Sequence, residues 1–590
     1  MPKSIDPGIQ KKIEQWLSGP YDENTKSKIQ KALKEDPESL IDAFYTDLSF
    51  GTGGMRGLMG VGTNRMNRYT IHNATQGLAN YLDKAAPGNS HKILISHDNR
   101  KNSRHFAEEA AKVLLGNQIE VLLSPELRPT PYVSFACRHH RCSGAIMITA
   151  SHNPKEYNGY KVYWSDGAQV VPPHDKGIIK EVQNITSPKQ VKLAKLEGRL
   201  FHILGEETDE AYLEAIKQLQ NYPDEHGSYG EELKVVYTPL HGAGITLLPR
   251  AFSRWGFQNL HLEEKQKDPD ENFSFAPVPN PEDPKALERG VQKLQEIQGD
   301  LLLATDPDAD RVGAVIMHQG KPVYLNGNEM ASILLYHICR SLKDRGHLPD
   351  NGACVTTIVT TELLSQICRS YNLAYFEVLT GFKYIGEKIR QWEESIPSPY
   401  SFLFGAEESY GYLYGSYARD KDGISASCLI AEAALHAKRN GQTLLDLLHQ
   451  IYEEYGIFQE KQFSKHFSEG KEGHKKMKDI MQKLRESPPK KIAEKHIIEF
   501  SDYLSGKKID LQTAQEMPID LPKSDVLAFR LEDHSKFVIR PSGTEPKIKV
   551  YGLVRHRRDH NMKKAIEHAK ERLDHMLSYI KDHFFGDETH

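Results

Sequence analysis

Short apolar runs alternate with helix-length stretches through most of this chain, and the runs end in loops rich in reactive side chains. Ile93–Ser96, Ile119–Leu123 and Ala145–Thr149 read as strands, with a helix over Ser103–Leu115 between the first two. The pattern resumes with a strand at Leu233–Tyr237, a helix near Pro284–Ile297 and a strand at Leu301–Ala304. It continues with strands at Cys354–Val359, Ala374–Val378 and Ser401–Phe404. Strands interleaved with helices at this spacing specify α/β units. Open α/β sheets bind ligands beyond the carboxyl ends of their strands. The residues just after each run therefore carry the functional information.

The blocks differ in texture and suggest boundaries. Residues 1–45 read as a helical, charged N-terminal extension, with Trp16, Leu17, Ile29 and Leu33 as packing residues. Residues 46–203 form a first domain, closed by the polar, Lys-rich stretch Ser187–Leu200. Residues 204–325 and 326–455 form a second and a third. Glu460–Lys495 is dense in Lys, Glu and His, and reads as a surface helix or a linker into a last block, 456–590. That block ends in an amphipathic helix around Met562–Ile580. A chain of 590 residues suits several such domains at roughly 150 residues each.

Composition narrows the function classes. The chain is 38% apolar and 26% charged, as expected of folded soluble domains. A net charge of -4 argues against a nucleic-acid-binding face. The start, Met1-Pro2-Lys3-Ser4-Ile5-Asp6, has no apolar signal core, and no run approaches the roughly 18 apolar residues of a membrane span. A cytoplasmic protein with neither membrane nor nucleic-acid partner is expected. Six cysteines in so long a chain are no disulfide framework. Cys137 and Cys142 bracket two histidines, but no second ligand pair follows at zinc-site spacing.

Four loops carry chemistry. The first follows Ala145–Ile148 and reads Thr149-Ala150-Ser151-His152-Asn153-Pro154, with Lys161 ten residues beyond Ser151. Taken alone, the run suggests Ser151 as a phosphate-accepting nucleophile, a covalent carrier; Ser151 with His152 also reads as half of a hydrolase dyad, or as a helix N-cap. The second is Asp306-Pro307-Asp308-Ala309-Asp310-Arg311. Three alternating carboxylates on an extended loop can converge on one hard cation such as Mg²⁺. Arg311 could then hold a phosphate. The local alternative is an exposed acidic turn.

The third loop is Gly405-Ala406-Glu407-Glu408-Ser409. In an extended loop Glu407 and Ser409 would point to one side, a carboxylate and a hydroxyl suited to sugar hydroxyls. A helix N-terminus explains the same letters. The fourth is Arg540-Pro541-Ser542-Gly543-Thr544-Glu545-Pro546-Lys547, which reads as a phosphate cradle or as an ordinary turn between strands. Cations also stand out at Arg56 in a glycine loop that is no Walker motif, at Lys383 just after a strand, and at Lys421 in Arg419–Gly423.

Together these motifs resemble the α-D-phosphohexomutase superfamily, in family order over about residues 46–556. The length, the N-terminal extension and the segments Phe50–Gly54 and Arg65–Asn67 resemble its long phosphoglucomutase and phosphopentomutase-like branch. Ala406 replaces a common glycine, and Gly53-Gly54 the more usual Ala-Gly.

The resemblance implies three related α/β domains and a C-terminal α+β domain of the TATA-binding-protein-like kind around a central cleft. It implies a phosphoserine at Ser151 flanked by His152, with Mg²⁺ on Ser151, Asp306, Asp308 and Asp310. Lys161 and Arg56 would serve proton transfer and substrate charge. Arg311, Lys383, Glu407, Ser409, Lys421, Arg540, Ser542, Gly543 and Thr544 would bind the sugar phosphate.

The expected reaction interconverts glucose 1-phosphate and glucose 6-phosphate through glucose 1,6-bisphosphate, by a monomer or weak homo-oligomer. Pentose or mannose phosphates, or bisphosphate synthesis, are alternatives within the class. A metal-dependent sugar phosphatase and a non-catalytic phosphosugar-binding protein are alternatives outside it.

Overall fold

The computed structural model describes residues 5–48, 50–51, 54–468, 471–542, 547–557 and 561–586. The chain divides into two compact units. One comprises residues 1–326, 381–405 and 409–436; the other comprises 327–380, 406–408 and 437–590.

The first unit opens with three helices, Pro7–Ser18, Glu23–Glu35 and Pro37–Tyr45. Asp6, Asp22 and Asp36 cap them through their side chains, satisfying amides that a helix start leaves open. Ile13, Trp16, Ile29, Leu40 and Phe44 form their core together with Tyr69. Tyr69 also donates to Asp22 at 2.7 Å, tying the extension to the helix Arg68–Ala85.

A seven-stranded sheet follows. Its strands are β1 (Phe50–Gly51), β2 (Gly54–Leu58), β3 (Lys92–His97), β4 (Glu120–Leu123), β5 (Gly144–Ile148), β6 (Tyr157–Trp164) and β7 (Phe201–Ile203), in the order β1-β2-β6-β5-β3-β4-β7. β3, β4, β5 and β7 run parallel; β6, β2 and β1 extend the sheet antiparallel. β5 is buried at every position, as expected of a strand covered on both faces. The Lys-rich stretch after Ser187 does not merely separate domains. It makes a short turn at Pro188–Gln190, packs Leu196 and Leu200 on the first core, and returns as β7 at the sheet edge.

The second sheet has the order β12-β11-β10-β8-β9, built from β8 (Val235–Thr238), β9 (Leu260–Leu262), β10 (Leu301–Thr305), β11 (Val312–His318) and β12 (Lys321–Leu325). Its core is parallel, β9 and β10 flanking β8, with β11 and β12 added antiparallel. Leu287, Val291 and Leu294 of the helix Pro284–Glu296 pack on it.

In the second unit, β13 (Gly352–Thr357) and β14 (Ala374–Val378) pair in parallel around the helix Leu363–Ser370. Farther along the chain come β15 (Ser401–Glu407), whose first five residues belong to the first unit, and β16 (Gly411–Tyr414), which lies in the first unit. Glu408–Tyr410 between them is a tight turn, not the extended loop expected from the sequence. Tyr410 takes a left-handed φ of 63° there, and Ser409 sits inside the bend.

The C-terminal sheet is antiparallel. It contains β17 (Ile457–His466), β18 (Lys491–Ile492), β19 (Lys495–Asp502), β20 (Lys507–Asp510), β21 (Glu516–Pro518), β22 (Leu527–Leu531), β23 (Lys536–Pro541) and β24 (Lys547–His556). Helices Lys471–Glu486 and Met562–Phe584 supply its core through Met477, Met481, Leu573, Met576 and Ile580. The charged stretch after Glu460 thus begins as a strand: Lys461 to His466 pairs with β24 while most of its polar side chains face outward.

Candidate active site

The serine loop leaves β5 at its carboxyl end and returns as β6. Ser151 sits at φ 52°, a left-handed conformation that β-carbon-bearing residues rarely adopt. Its amide donates to Thr149 Oγ1 at 2.8 Å, and the Asn153 amide donates to the Ala150 carbonyl at 3.1 Å, closing the turn. Across the turn, a side chain at Gly159 would lie 2.4 Å from the Thr149 carbonyl, so glycine is required where β6 passes under the loop.

The acidic loop leaves β10 at its carboxyl end. Asp306, Asp308 and Asp310 are all buried, and one oxygen from each lies within 4.8 Å of the others. The convergence comes from a turn with Ala309 at φ 49°, where the sequence suggested an extended backbone. Gly242 packs its backbone on that turn; a β-carbon there would meet Pro307 Cα at 2.4 Å. The helix Thr130–His139 abuts the other side. The Thr130 amide donates to the Asp308 carbonyl at 2.8 Å and Thr130 Oγ1 to Asp308 Oδ2 at 2.8 Å.

The structure joins the two loops. Ser151 Oγ donates to Asp306 Oδ2 at 2.7 Å and lies 3.2 Å from His152 Nδ1. Lys161 Nζ reaches Asp308 Oδ2 at 2.8 Å and Asp310 Oδ2 at 3.1 Å. Lys421 Nζ reaches Asp310 Oδ2 at 3.0 Å. The next residue back, Asp420, accepts from Tyr163 at 2.9 Å and Gln169 at 2.8 Å. Arg56 on β2 donates to Asn153 Oδ1 at 2.7 Å. Arg311 pairs with Glu282 at 2.8 Å, while its amide donates to Asp306 Oδ1 at 3.1 Å.

Burial and mutual repulsion set the charges. Burial, then the Asp308 and Asp310 carboxylates, push the Asp306 carboxyl well up. Burial would also raise Asp308, but Lys161 outweighs it and holds that carboxyl below the usual range. Burial would depress Lys161, yet Asp308 and Asp310 hold its ammonium above its ordinary value. His152 is driven well below its ordinary value, first by burial and then by the Arg311 and Arg56 cations.

The acidic loop also fits a hard divalent cation. Asp308 Oδ1 and Asp310 Oδ1 are buried without a hydrogen-bond partner. Leaving two carboxylate oxygens so placed is costly unless a cation takes them.

The remaining expected residues lie elsewhere in the chain. Lys383 opens the helix Phe382–Glu394, buried, with Nζ 5.1 Å from the centre of the Tyr384 ring. Burial lowers its pKa, and Asp175 and Glu387 oppose the shift. Glu407 is the last residue of β15, and Arg540 lies near the end of β23 opposite Lys549. The Ser542 amide donates to the Lys547 carbonyl at 2.8 Å. Gly543 and Thr544 lie outside the described residues.

Sequence reasoning missed Thr130, Asp98 and Arg100, which brace the two loops. Asp98 and Arg100 follow β3 just as Ser151 follows β5, so the same strand-end rule reaches them.

The chain matches the family models for phosphoglucomutase/phosphomannomutase alpha/beta/alpha domain I over residues 47–189, domain II over 210–320 and domain III over 326–455. It is 38% identical over 514 residues to a phosphoglucomutase of Staphylococcus aureus (strain bovine RF122 / ET3-1), covering 86% of this chain and 90% of that protein. It is 36% identical over 532 residues to a phosphoglucomutase of Staphylococcus epidermidis, covering 87% and 94%.

In fold it is similar to the open form of pp63/parafusin, a phosphoglucomutase from Paramecium, with TM-score 0.65 and 18% identity, covering 92% of this chain and 97% of the other. A putative phosphomannomutase of Thermus thermophilus superposes with TM-score 0.64 and 21% identity, covering 90% and 99%. Three α/β domains of one kind, a C-terminal domain of sheet and helices, and close relatives over most of its length place the chain in the phosphoglucomutase/phosphomannomutase family.

Proposed function

We propose that this protein is a phosphoglucomutase, interconverting α-D-glucose 1-phosphate and glucose 6-phosphate with Ser151 as the phosphoryl carrier. The observation that carries the reading is the meeting of Ser151 Oγ with Asp306 at 2.7 Å, at the edge of a buried carboxylate triad with two unsatisfied oxygens. A hydrolase dyad does not require that triad.

Asp306, Asp308 and Asp310 would hold Mg²⁺ together with a phosphoserine oxygen. Bound there, the ion supplies neutralisation of phosphoryl-oxygen charge, the main demand of phosphoryl transfer. Lys161, kept protonated by its two carboxylates, offers a second positive charge to the same oxygens.

In the forward half-reaction the bond from phosphorus to Ser151 Oγ breaks and one to the free sugar hydroxyl oxygen forms; that hydroxyl gives up its proton, Ser151 Oγ takes one up, and the product is glucose 1,6-bisphosphate. After the bisphosphate turns end for end, Ser151 Oγ takes back the phosphoryl group from the sugar's first oxygen. Its hydroxyl proton then has two acceptors in contact, Asp306 Oδ2 at 2.7 Å and His152 Nδ1 at 3.2 Å, and the leaving sugar oxygen takes up a proton.

Arg56, anchored by Asn153, places a cation beside the serine loop. Arg311, Lys383 and Lys421 add cations for the sugar phosphate. Glu407 and Ser409 would take sugar hydroxyls; Arg540, Ser542, Gly543 and Thr544 would take the phosphate that is not reacting. Phosphorylated sugars are confined to cell interiors by their charge, so a cytoplasmic enzyme, monomeric or weakly self-associating, belongs to this reading.

A coupled assay with glucose, mannose and ribose 1-phosphates, with and without glucose 1,6-bisphosphate, tests the assignment. The highest kcat/KM is expected for glucose 1-phosphate, with activation by the bisphosphate. Equal or greater use of ribose 1-phosphate would make the protein a phosphopentomutase; free phosphate as the product would make it a phosphatase.

A further inference from the structure

We propose that Arg100 is a positioning residue that sets the backbone of the Ser151 loop, and that Phe273 holds its guanidinium in place. The inference rests on Ser151 being the phosphoryl carrier.

Arg100 is 2% exposed. Nη2 donates to the Ser151 and Asn153 carbonyls, both at 2.5 Å. Nη1 donates to the Pro154 carbonyl at 2.8 Å and the Tyr157 carbonyl at 3.2 Å. One guanidinium thus gathers four carbonyls across the loop, from the serine itself to the start of β6. Asp98 fixes the arginine from behind: its Oδ2 lies 3.3 Å from Arg100 Nε, and its Oδ1 accepts from the Arg100 amide at 2.9 Å. Asp98 also accepts from Ser103 at 2.6 Å, and Ser103 in turn accepts from Asn158 at 3.0 Å.

The open face of the guanidinium is covered from another part of the chain. The Phe273 ring centre lies 5.1 Å from Arg100 Cζ, and Phe273 is fully buried at a left-handed φ of 49°. Asn99 donates to the Asp270 carbonyl at 3.0 Å, pinning the same segment. That segment runs on to Glu282, the partner of Arg311 in the acidic loop. Arg100 and Phe273 therefore register the serine loop against the acidic loop.

A planar fork with two donors on each of two nitrogens suits this task, and a lysine ammonium does not reproduce it. The expected function is geometric: Arg100 keeps Ser151 in its left-handed conformation with Oγ aimed at the reacting phosphorus. Misplacing a reacting group by about 1 Å can cost on the order of a hundredfold in rate.

The test measures the half-reaction in which glucose 1,6-bisphosphate phosphorylates Ser151, by rapid quench and phosphopeptide mapping. It is run on the full chain with Mg²⁺ and compares wild type, Arg100→Lys and Phe273→Leu. Thermal midpoints and glucose 1-phosphate affinity are measured in parallel.

Arg100→Lys is expected to slow phosphorylation of Ser151 by about tenfold to a hundredfold while glucose 1-phosphate affinity changes by less than about threefold. Phe273→Leu, which keeps every hydrogen bond of the guanidinium, is expected to slow it less. In Arg100→Gly, added guanidinium should restore part of the rate, a response that general loosening of the fold does not give.

Wild-type phosphorylation rates in a folded Arg100→Lys would overturn the proposal, as would loss of rate and sugar-phosphate affinity in proportion. Should Arg100→Lys fail to fold, an unchanged rate in Phe273→Leu would overturn it. If wild type itself forms no phosphoserine, the carrier reading fails instead, and the two failures are told apart.

Discussion

Thr130 grips Asp308 twice, through its amide to the carbonyl and through its hydroxyl to the carboxylate, each at 2.8 Å. Thr130 begins a helix of the first sheet's layer, and Asp308 lies in the loop after β10 of the second sheet. The contact orients a carboxylate of the candidate metal site from outside the set of ligands. Such outer partners commonly set metal affinity by about 10–100-fold. Thr130→Val keeps the side-chain shape and removes the donor. We expect Mg²⁺ or Mn²⁺ affinity, measured by calorimetric titration, to weaken by about tenfold or more. Loss of a hydrogen bond to a buried carboxylate should also cost about 1–3 kcal/mol of stability. Unchanged metal affinity would show that Asp308 needs no such support.

Much of the site's content was legible because it lies at strand ends. Ser151 follows a wholly buried strand, and the Asp306–Asp310 loop follows another. Continuous apolar runs with polar residues after them are local patterns, visible without a structure.

Thr130, Gly242 and Phe273 were not legible. Their roles arise from contacts with residues 178, 65 and 173 positions away in sequence, which no local pattern encodes. The turn at Glu408–Tyr410 was read as extended because nothing in its letters announces a left-handed Tyr410. Lys461–His466 was read as helix or linker because its lysines and histidine hide the alternation of a strand with one side facing solvent.

Glu109 supplies an acid-side test of the first domain. It accepts from His72 at 2.6 Å and from Lys112 at 2.7 Å. Burial alone would raise this carboxyl, but those bonds outweigh it and bring its pKa from 4.5 to about 2. A carboxyl whose folded pKa is depressed contributes stability above its unfolded value and loses it as pH falls through the folded one. Stability from this group should therefore be complete above about pH 4.5 and vanish toward pH 2. Urea unfolding of wild type and Glu109→Gln should give curves that converge across that window on acidification. A gap that stays constant from pH 6 to about 2.5 would contradict the assignment.

Glu460 has the opposite sign. Its Oε1 is sealed from solvent without a hydrogen-bond partner in β17. Burial, with the Glu329 and Glu362 carboxylates and against a hydrogen bond from Thr361, pushes its pKa up from 4.5 to about 8. The folded state then holds a proton that the unfolded chain has released, so stability declines as pH rises from 4.5 to about 8. Glu460→Gln removes that loss. The variant should melt higher than wild type at pH 8.5 and close to it near pH 4.5. An equal difference at both pH values would mean the carboxyl is ordinary.

The central claim is that Ser151, set against the Asp306–Asp310 triad, carries the phosphoryl group. The most direct measurement is a single-turnover chase. Enzyme labelled from radioactive glucose 1,6-bisphosphate is isolated, mapped, and mixed with unlabelled glucose 1-phosphate, with Mg²⁺ or with chelator. We expect the label on Ser151, its transfer to sugar bisphosphate at a rate no slower than steady-state turnover, and little transfer under chelation. Label that stays on the protein while turnover proceeds, or full turnover in Ser151→Ala, would contradict the claim.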